Sequence, residues 1–226
     1  MNARFHNRMT ALLLTLLFCV SLAPRASAVA ERIGDYRDLN PNAWYAKGVR
    51  YCVEKGVMSG FGNVNHLFAP DSAMNRAELA TIVWRMEGAP VTGLSLHFDD
   101  VEEGIWYEEA VRWVLLHGII DAETPLVFGT EQPITREQLA MTLWRYADYR
   151  NGFVPEISDP EFETYRDHDK VSPEAAEALR WANALGIMTG TKDIDGSYVL
   201  TPWAQVSRAA AATILMRFSL DMGIYD

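Results

Sequence analysis

Cysteine is almost missing from this chain, with two in 226 residues. Two thiols cannot build a disulfide framework, and no C-x-x-C pair offers a zinc site. Basic residues are scarce as well: 20 Lys and Arg stand against 30 Asp and Glu, a formal net charge of −10. Such a balance lacks the basic face with which a nucleic-acid binder releases counterions from phosphates. It also lacks the polybasic patch that attracts an anionic membrane surface. Catalytic signatures are absent. His66, His97, His117 and His168 are scattered with no H-E-x-x-H, and no G-x-S-x-G elbow occurs. No cofactor or metal is expected.

One apolar run is present, and it is short. Arg4 and Arg8 precede an apolar stretch from Ala11 to Val20, Pro24 follows, and Ala26-Ser27-Ala28 forms a small-x-small cleavage site. This is the pattern of an export signal over residues 1–28. The apolar stretch falls short of the roughly 20 residues that a spanning helix needs. Cleavage after Ala28 would leave a chain beginning at Val29, with no membrane span and with Cys52 as its single thiol. Cys52 sits in an apolar stretch and is expected to be a small core residue.

The rest of the sequence repeats itself three times. Aromatic-x-Asp occurs as Tyr36-Arg37-Asp38, Phe98-Asp99-Asp100 and Tyr165-Arg166-Asp167. Trp44-Tyr45 and Trp106-Tyr107 each begin six residues after the first two of these aspartates. Gly56-Val57-Met58, Gly118-Ile119-Ile120 and Gly186-Ile187-Met188 come next, then Phe68-Ala69-Pro70, Phe128-Gly129 and Leu200-Thr201-Pro202. Last are Asn75-Arg76-Ala77-Glu78, Thr135-Arg136-Glu137-Gln138 and Ser207-Arg208-Ala209-Ala210, with Arg85, Arg145 and Arg217 nine residues past these arginines. The repeats are placed at 29–88, 89–150 and 151–226.

Each repeat reads as helix, loop, helix. The first helix, over about 42–55 in repeat 1, carries Tyr45, Val49 and Cys52 at i, i+4, i+7, matched by Tyr107, Val111, Val114 and by Ala175, Leu179, Ala182. Gly56, Gly118 and Gly186 suit the left-handed position past a helix end. Asn75, Thr135 and Ser207 suit the N-cap of the second helix, and Glu78 and Gln138 complete capping boxes that Ala210 cannot. Strand signal is weak. A single helix pair buries too little apolar surface to stand alone, so the three are expected to share a core.

In this order and number, these motifs resemble S-layer homology (SLH) domains across nearly the whole chain after residue 28. The resemblance implies a mainly α fold, with three helix-loop-helix repeats packed as a pseudo-threefold single-chain assembly and the first helices bundled at its centre. It implies an exported, non-catalytic module that anchors to anionic, pyruvylated secondary cell-wall polysaccharide at the cell surface through grooves between repeats. The family's groove residues map onto Arg76, Arg136 and Arg208, onto Asp38, Asp100 and Asp167, and onto the loop glycines Gly60 and Gly190. Repeat 2 departs from the pattern at that loop, where Asp121 lies nearby.

The residues themselves bear on this site. A cation at the first position of a helix opposes the dipole by about 0.3–1 kcal/mol. An anion held jointly by the free N–H groups and the guanidinium would account for its recurrence. Arg85, Arg145 and Arg217, deeper in the helix, are expected to be structural. Asp38, Asp100 and Asp167 could cap the first helix or bind sugar hydroxyls. Trp44 and Trp106 could stack on a sugar or pack inward. The acidic pairs Asp99-Asp100 and Glu108-Glu109 are absent from the other repeats, which argues against a glycosidase. A second reading makes the chain a degenerate triplet serving as a structural or protein-interaction module at the cell surface, with a surface-protein partner.

Overall fold

The computed structural model describes residues 33–61 and 66–225. The expected leader lies outside the described residues. Six helices carry the fold: α1 (Ala46–Glu54), α2 (Arg76–Met86), α3 (Glu108–Leu116), α4 (Arg136–Asn151), α5 (Ala176–Ala184) and α6 (Arg208–Asp221). The first helix of each repeat is shorter than the sequence pattern suggests. Residues 42–45 form turns instead of a helical first turn, and Tyr45, Tyr107 and Ala175 provide no side-chain cap. The aspartates of the aromatic-x-Asp motif therefore do not cap the first helices. Repeat 3 adds a two-residue antiparallel ladder, β1 (Thr191–Lys192) with β2 (Tyr198–Val199).

The second helices start where their caps dictate. The side chains of Asn75 and Thr135 accept the N–H of Glu78 and Gln138, and each of those side chains returns the bond to the cap N–H. Ser207 accepts the Ala210 N–H without a reciprocal bond. The left-handed glycines after the first helices are as expected, with φ of 71°, 64° and 67° at Gly56, Gly118 and Gly186.

The broad helix contacts cross from repeat to repeat: α2 with α3, α4 with α5, and α6 back to α1. These pair a second helix with the next repeat's first helix. The α6–α1 crossing is tight enough that a Cβ on Gly48 would lie 2.7 Å from the Thr213 α-carbon. Backbone bonds complete the cycle. Met74 N–H donates to the Val206 carbonyl (2.9 Å), Val206 N–H to Ile134 (3.1 Å), and Ile134 N–H to Met74 (2.9 Å). These three residues each precede an N-cap residue, so the starts of α2, α4 and α6 are tied together.

One buried cluster runs through all three repeats, including Val49, Cys52, Leu79, Val83, Val111, Trp113, Leu139, Leu143, Leu179, Trp181, Leu215 and Phe218. No helix among the described residues is long and apolar enough to cross a membrane. Cys52 is fully buried, its Sγ–H directed at the Ala212 carbonyl, and burial pushes its thiol up to about 12.

Candidate functional site: the junctions between repeats

The second helices place Arg76, Arg136 and Arg208 at their first turns, and each side chain reaches into the following repeat. Arg76 donates through Nε to the Phe128 carbonyl (3.0 Å) and through Nη2 to the Asp121 carbonyl (2.5 Å). Arg136 donates likewise to Leu200 (2.8 Å) and Thr189 (3.0 Å). Arg208 closes the cycle, donating to Phe68 (2.9 Å) and Ser59 (2.7 Å) in repeat 1. The guanidinium groups of Arg76 and Arg208 also lie over the rings of Phe128 (4.9 Å) and Phe68 (4.8 Å). Two of the donor nitrogens of each arginine therefore join neighbouring repeats, a role the sequence does not disclose.

The three junctions differ in what meets the remaining nitrogen. Arg208 Nη1 pairs with the Glu78 carboxylate. The positions corresponding to Glu78 carry Gln138 and Ala210, and Nη1 of Arg76 and of Arg136 makes no hydrogen bond to a described residue. Burial lowers the pKa of both Arg76 and Arg136. Glu123, Asp121 and Asp100 oppose this at Arg76, as Asp167 and Tyr165 do at Arg136. A guanidinium stays charged throughout.

The aspartates turn inward. Asp38 accepts the N–H groups of Phe68 (2.9 Å) and Ala69 (2.6 Å). Asp100 accepts those of Phe128, Gly129 and Thr130 (2.7–2.8 Å). Asp167 accepts those of Leu200 (2.7 Å) and Thr201 (2.8 Å). Each carboxylate thereby folds the segment whose carbonyl the preceding repeat's arginine then holds. Burial pushes the Asp100 carboxyl up, but the N–H groups of Thr130, Phe128 and Gly129 outweigh it and hold the group below the usual carboxylate range.

Trp44 and Trp106 point outward, 69% and 57% exposed, each edge-on to the tyrosine that follows it. The inward-packing reading is excluded for both. At the junction of repeats 3 and 1 a cavity of about 310 Å³ opens, lined by residues that include Ser59, Gly60, Phe61, Glu78, Arg85, Trp106 and Arg208. Gly60, Trp106 and Arg208, drawn from repeats 1, 2 and 3, thus meet at one groove. Glu78 and Phe61 also belong to it, although sequence reasoning gave Glu78 a capping role alone and passed over Phe61. Of the deeper arginines, Arg145 pairs with Asp121 (2.7 Å) and Arg85 donates to the Val57 carbonyl (3.5 Å), while Arg217 is exposed.

Gly60 and Gly190 are glycines for an internal reason. A Cβ on Gly60 would lie 2.3 Å from the Tyr36 ring, and one on Gly190 would lie 2.1 Å from the Tyr165 ring. Repeat 2 has Phe98 at the tyrosine position and Ala122 at the glycine position. The residue there that corresponds to Gly60 is Ala122, one beyond Asp121.

These junctions belong to a known class of cell-surface module. The family model for the S-layer homology domain matches residues 35–80, 97–140 and 164–212, more than half of the sequence. The chain belongs to the S-layer homology domain family. It is similar to the Surface-layer 125 kDa protein of Lysinibacillus sphaericus, at 28% identity over 89% of this chain and 16% of that protein. It resembles an Endoglucanase of Bacillus sp. (strain KSM-635) at 26% identity, over 81% of this chain and 19% of the enzyme. The Cellulosome-anchoring protein of Acetivibrio thermocellus matches at 24% identity over 55% of this chain and 29% of its own length. The chain spans less than a third of each of these relatives.

Proposed function

We propose that this chain is an exported, non-catalytic module that holds its protein at the cell surface by binding an anionic secondary cell-wall polysaccharide, pyruvylated on some sugars, in grooves between repeats. The observation that carries the reading is the groove at which Gly60, Trp106 and Arg208 converge from three repeats. It combines an exposed aromatic face with hydrogen-bonding groups, the usual composition of a site with oriented polar recognition. The cyclic helix contacts support three such junctions in a pseudo-threefold arrangement. The nitrogens left over on Arg76 and Arg136 supply donors for a carboxylate. The match to the endoglucanase carries no catalytic role to this chain, because it spans a minor share of that protein's length.

One observation favours the second reading, a structural or protein-interaction module. All three arginines already serve the packing between repeats, so their presence alone does not require a ligand. Sedimentation separates the two. The chain starting at Val29 is mixed with isolated sacculi, either intact or stripped of their secondary polysaccharide by acid. Pelleting with intact sacculi only is the expected result. Equal pelleting with both, or with neither, favours the interaction module.

A further inference from the structure

Glu78 does two jobs at once. Its Oε2 accepts the Asn75 cap N–H (3.0 Å), and its Oε1 pairs with Arg208 Nη1 from the other end of the chain. Both side chains are largely buried, 5% exposed for Arg208 and 12% for Glu78. The pair lies on the wall of the 310 Å³ groove, with Trp106 on the same lining and Val57, Met58, Ile82 and Phe61 supplying apolar surface. Phe61 also lies beneath the Arg208 guanidinium, 4.8 Å from its ring centroid. Arg85, the other cation of the lining, donates to the Val57 carbonyl.

A carboxylate ligand approaching Arg208 would meet the Glu78 carboxylate at contact range in a part-buried site, where like charges repel strongly. It would also have to displace a formed ion pair. An uncharged ligand meets neither obstacle and finds an exposed indole face beside hydrogen-bonding groups. The positions that correspond to Glu78 at the Arg76 and Arg136 junctions carry Gln138 and Ala210, and neither side chain is a carboxylate.

We propose that Glu78 is a specificity residue: by holding Arg208 it makes the junction of repeats 3 and 1 a site for an uncharged saccharide unit stacked on Trp106, and leaves the carboxylate-bearing unit to Arg76 and Arg136. This rests on the wall-anchoring reading above. One polymer would then be held at two chemically different places, which fits a glycan whose acidic substituent recurs on some sugars and not on others.

The test uses the chain starting at Val29 and two probes, the methyl glycoside of a hexopyranose and the same glycoside bearing a pyruvyl ketal. The indole N–H resonance of Trp106, assigned with Trp106→Phe, reports on this groove alone. In the wild type the neutral glycoside should shift it at concentrations at least about tenfold lower than the ketal requires. Glu78→Gln should raise ketal affinity at Trp106 about tenfold, the worth of one freed charge-assisted bond. The variant should stay folded, because Gln138 builds the same capping box in repeat 2, and thermal melting checks this. Ala210→Glu should weaken ketal binding elsewhere without changing Trp106. The inference is overturned if the wild-type Trp106 groove prefers the ketal, if Glu78→Gln leaves the preference unchanged, or if neither glycoside moves Trp106. Sacculus pelleting of the same samples keeps the outcomes apart. Pelleting with a silent Trp106 sinks this inference alone, and failure to pellet sinks the anchoring reading.

Discussion

Gly60 donates its backbone N–H to the Tyr36 hydroxyl at 2.8 Å, and a Cβ at this position would lie 2.3 Å from the same ring. The contact links the start of repeat 1 to the loop that borders the groove. Gly190 and Tyr165 make the longer counterpart in repeat 3, at 3.4 Å.

Gly60→Ala should therefore destabilise the chain by about 1–3 kcal/mol through overpacking, since the new methyl would meet both the Tyr36 ring and the Leu67 carbonyl. Tyr36→Phe should cost about 1 kcal/mol by taking a partner from the Gly60 N–H. Urea denaturation of the two variants measures both. Unchanged midpoints would mean that this loop is not held as described.

Asp100 is the most heavily used of the three loop carboxylates, with three N–H donors converging on it. Asp100→Asn should cost about 1–3 kcal/mol, because the amide NH2 would face donors where an acceptor is needed. The folded carboxyl is held below its ordinary value. Its stabilisation is thus fully present above the unfolded pKa of about 4 and is lost as pH falls through the folded value. Unfolding midpoints between pH 7 and pH 3 should fall more steeply for the wild type than for Asp100→Asn. Parallel curves would count against this assignment.

Arg136→Ala should lower stability by roughly 2–3 kcal/mol, since it strips charged donors from the Leu200 and Thr189 carbonyls. Arg136→Lys should recover part of that loss but not the two-point geometry. If the arginine also binds a wall carboxylate, Arg136→Lys should lose sacculus affinity in a protein shown by circular dichroism to be folded. Stability unchanged in Arg136→Ala would remove the packing role.

Cys52 should be silent toward an aromatic disulfide reagent at pH 8 in the folded chain starting at Val29, and react once denaturant is added. Its burial and raised thiol pKa both suppress the reactive thiolate. Prompt labelling in buffer would show that the α1–α6 contact opens readily.

Much of this architecture could be read from the residues in advance. Asn75, Thr135 and Ser207 mark helix starts because capping is a local matter settled within three residues, and Gly56, Gly118 and Gly186 mark helix ends for the same reason. The destinations of Arg76, Arg136 and Arg208 could not be read, because their partners lie 45 to 149 residues away and are backbone carbonyls, which any residue provides. Glu78 illustrates the point: its local bond to Asn75 was legible, its pairing with Arg208 was not. The loop of repeat 2 was legible as a departure near Asp121, but that Phe98 and Ala122 replace Tyr36 and Gly60 together emerges only once the Tyr36 ring is seen against Gly60.

The contact between α1 and α6 bears on when folding can finish. Its partners are the earliest and latest helices described, so the chain must complete a very large loop before Gly48 meets Thr213, and such distant contacts form late and slowly. Synthesis proceeds from the N-terminus. A chain whose last repeat is not yet made would hold α1 with its Thr213-facing side uncovered and Glu78 without its arginine. Its apolar surface would then be open to chaperones or to aggregation until the final helix arrives.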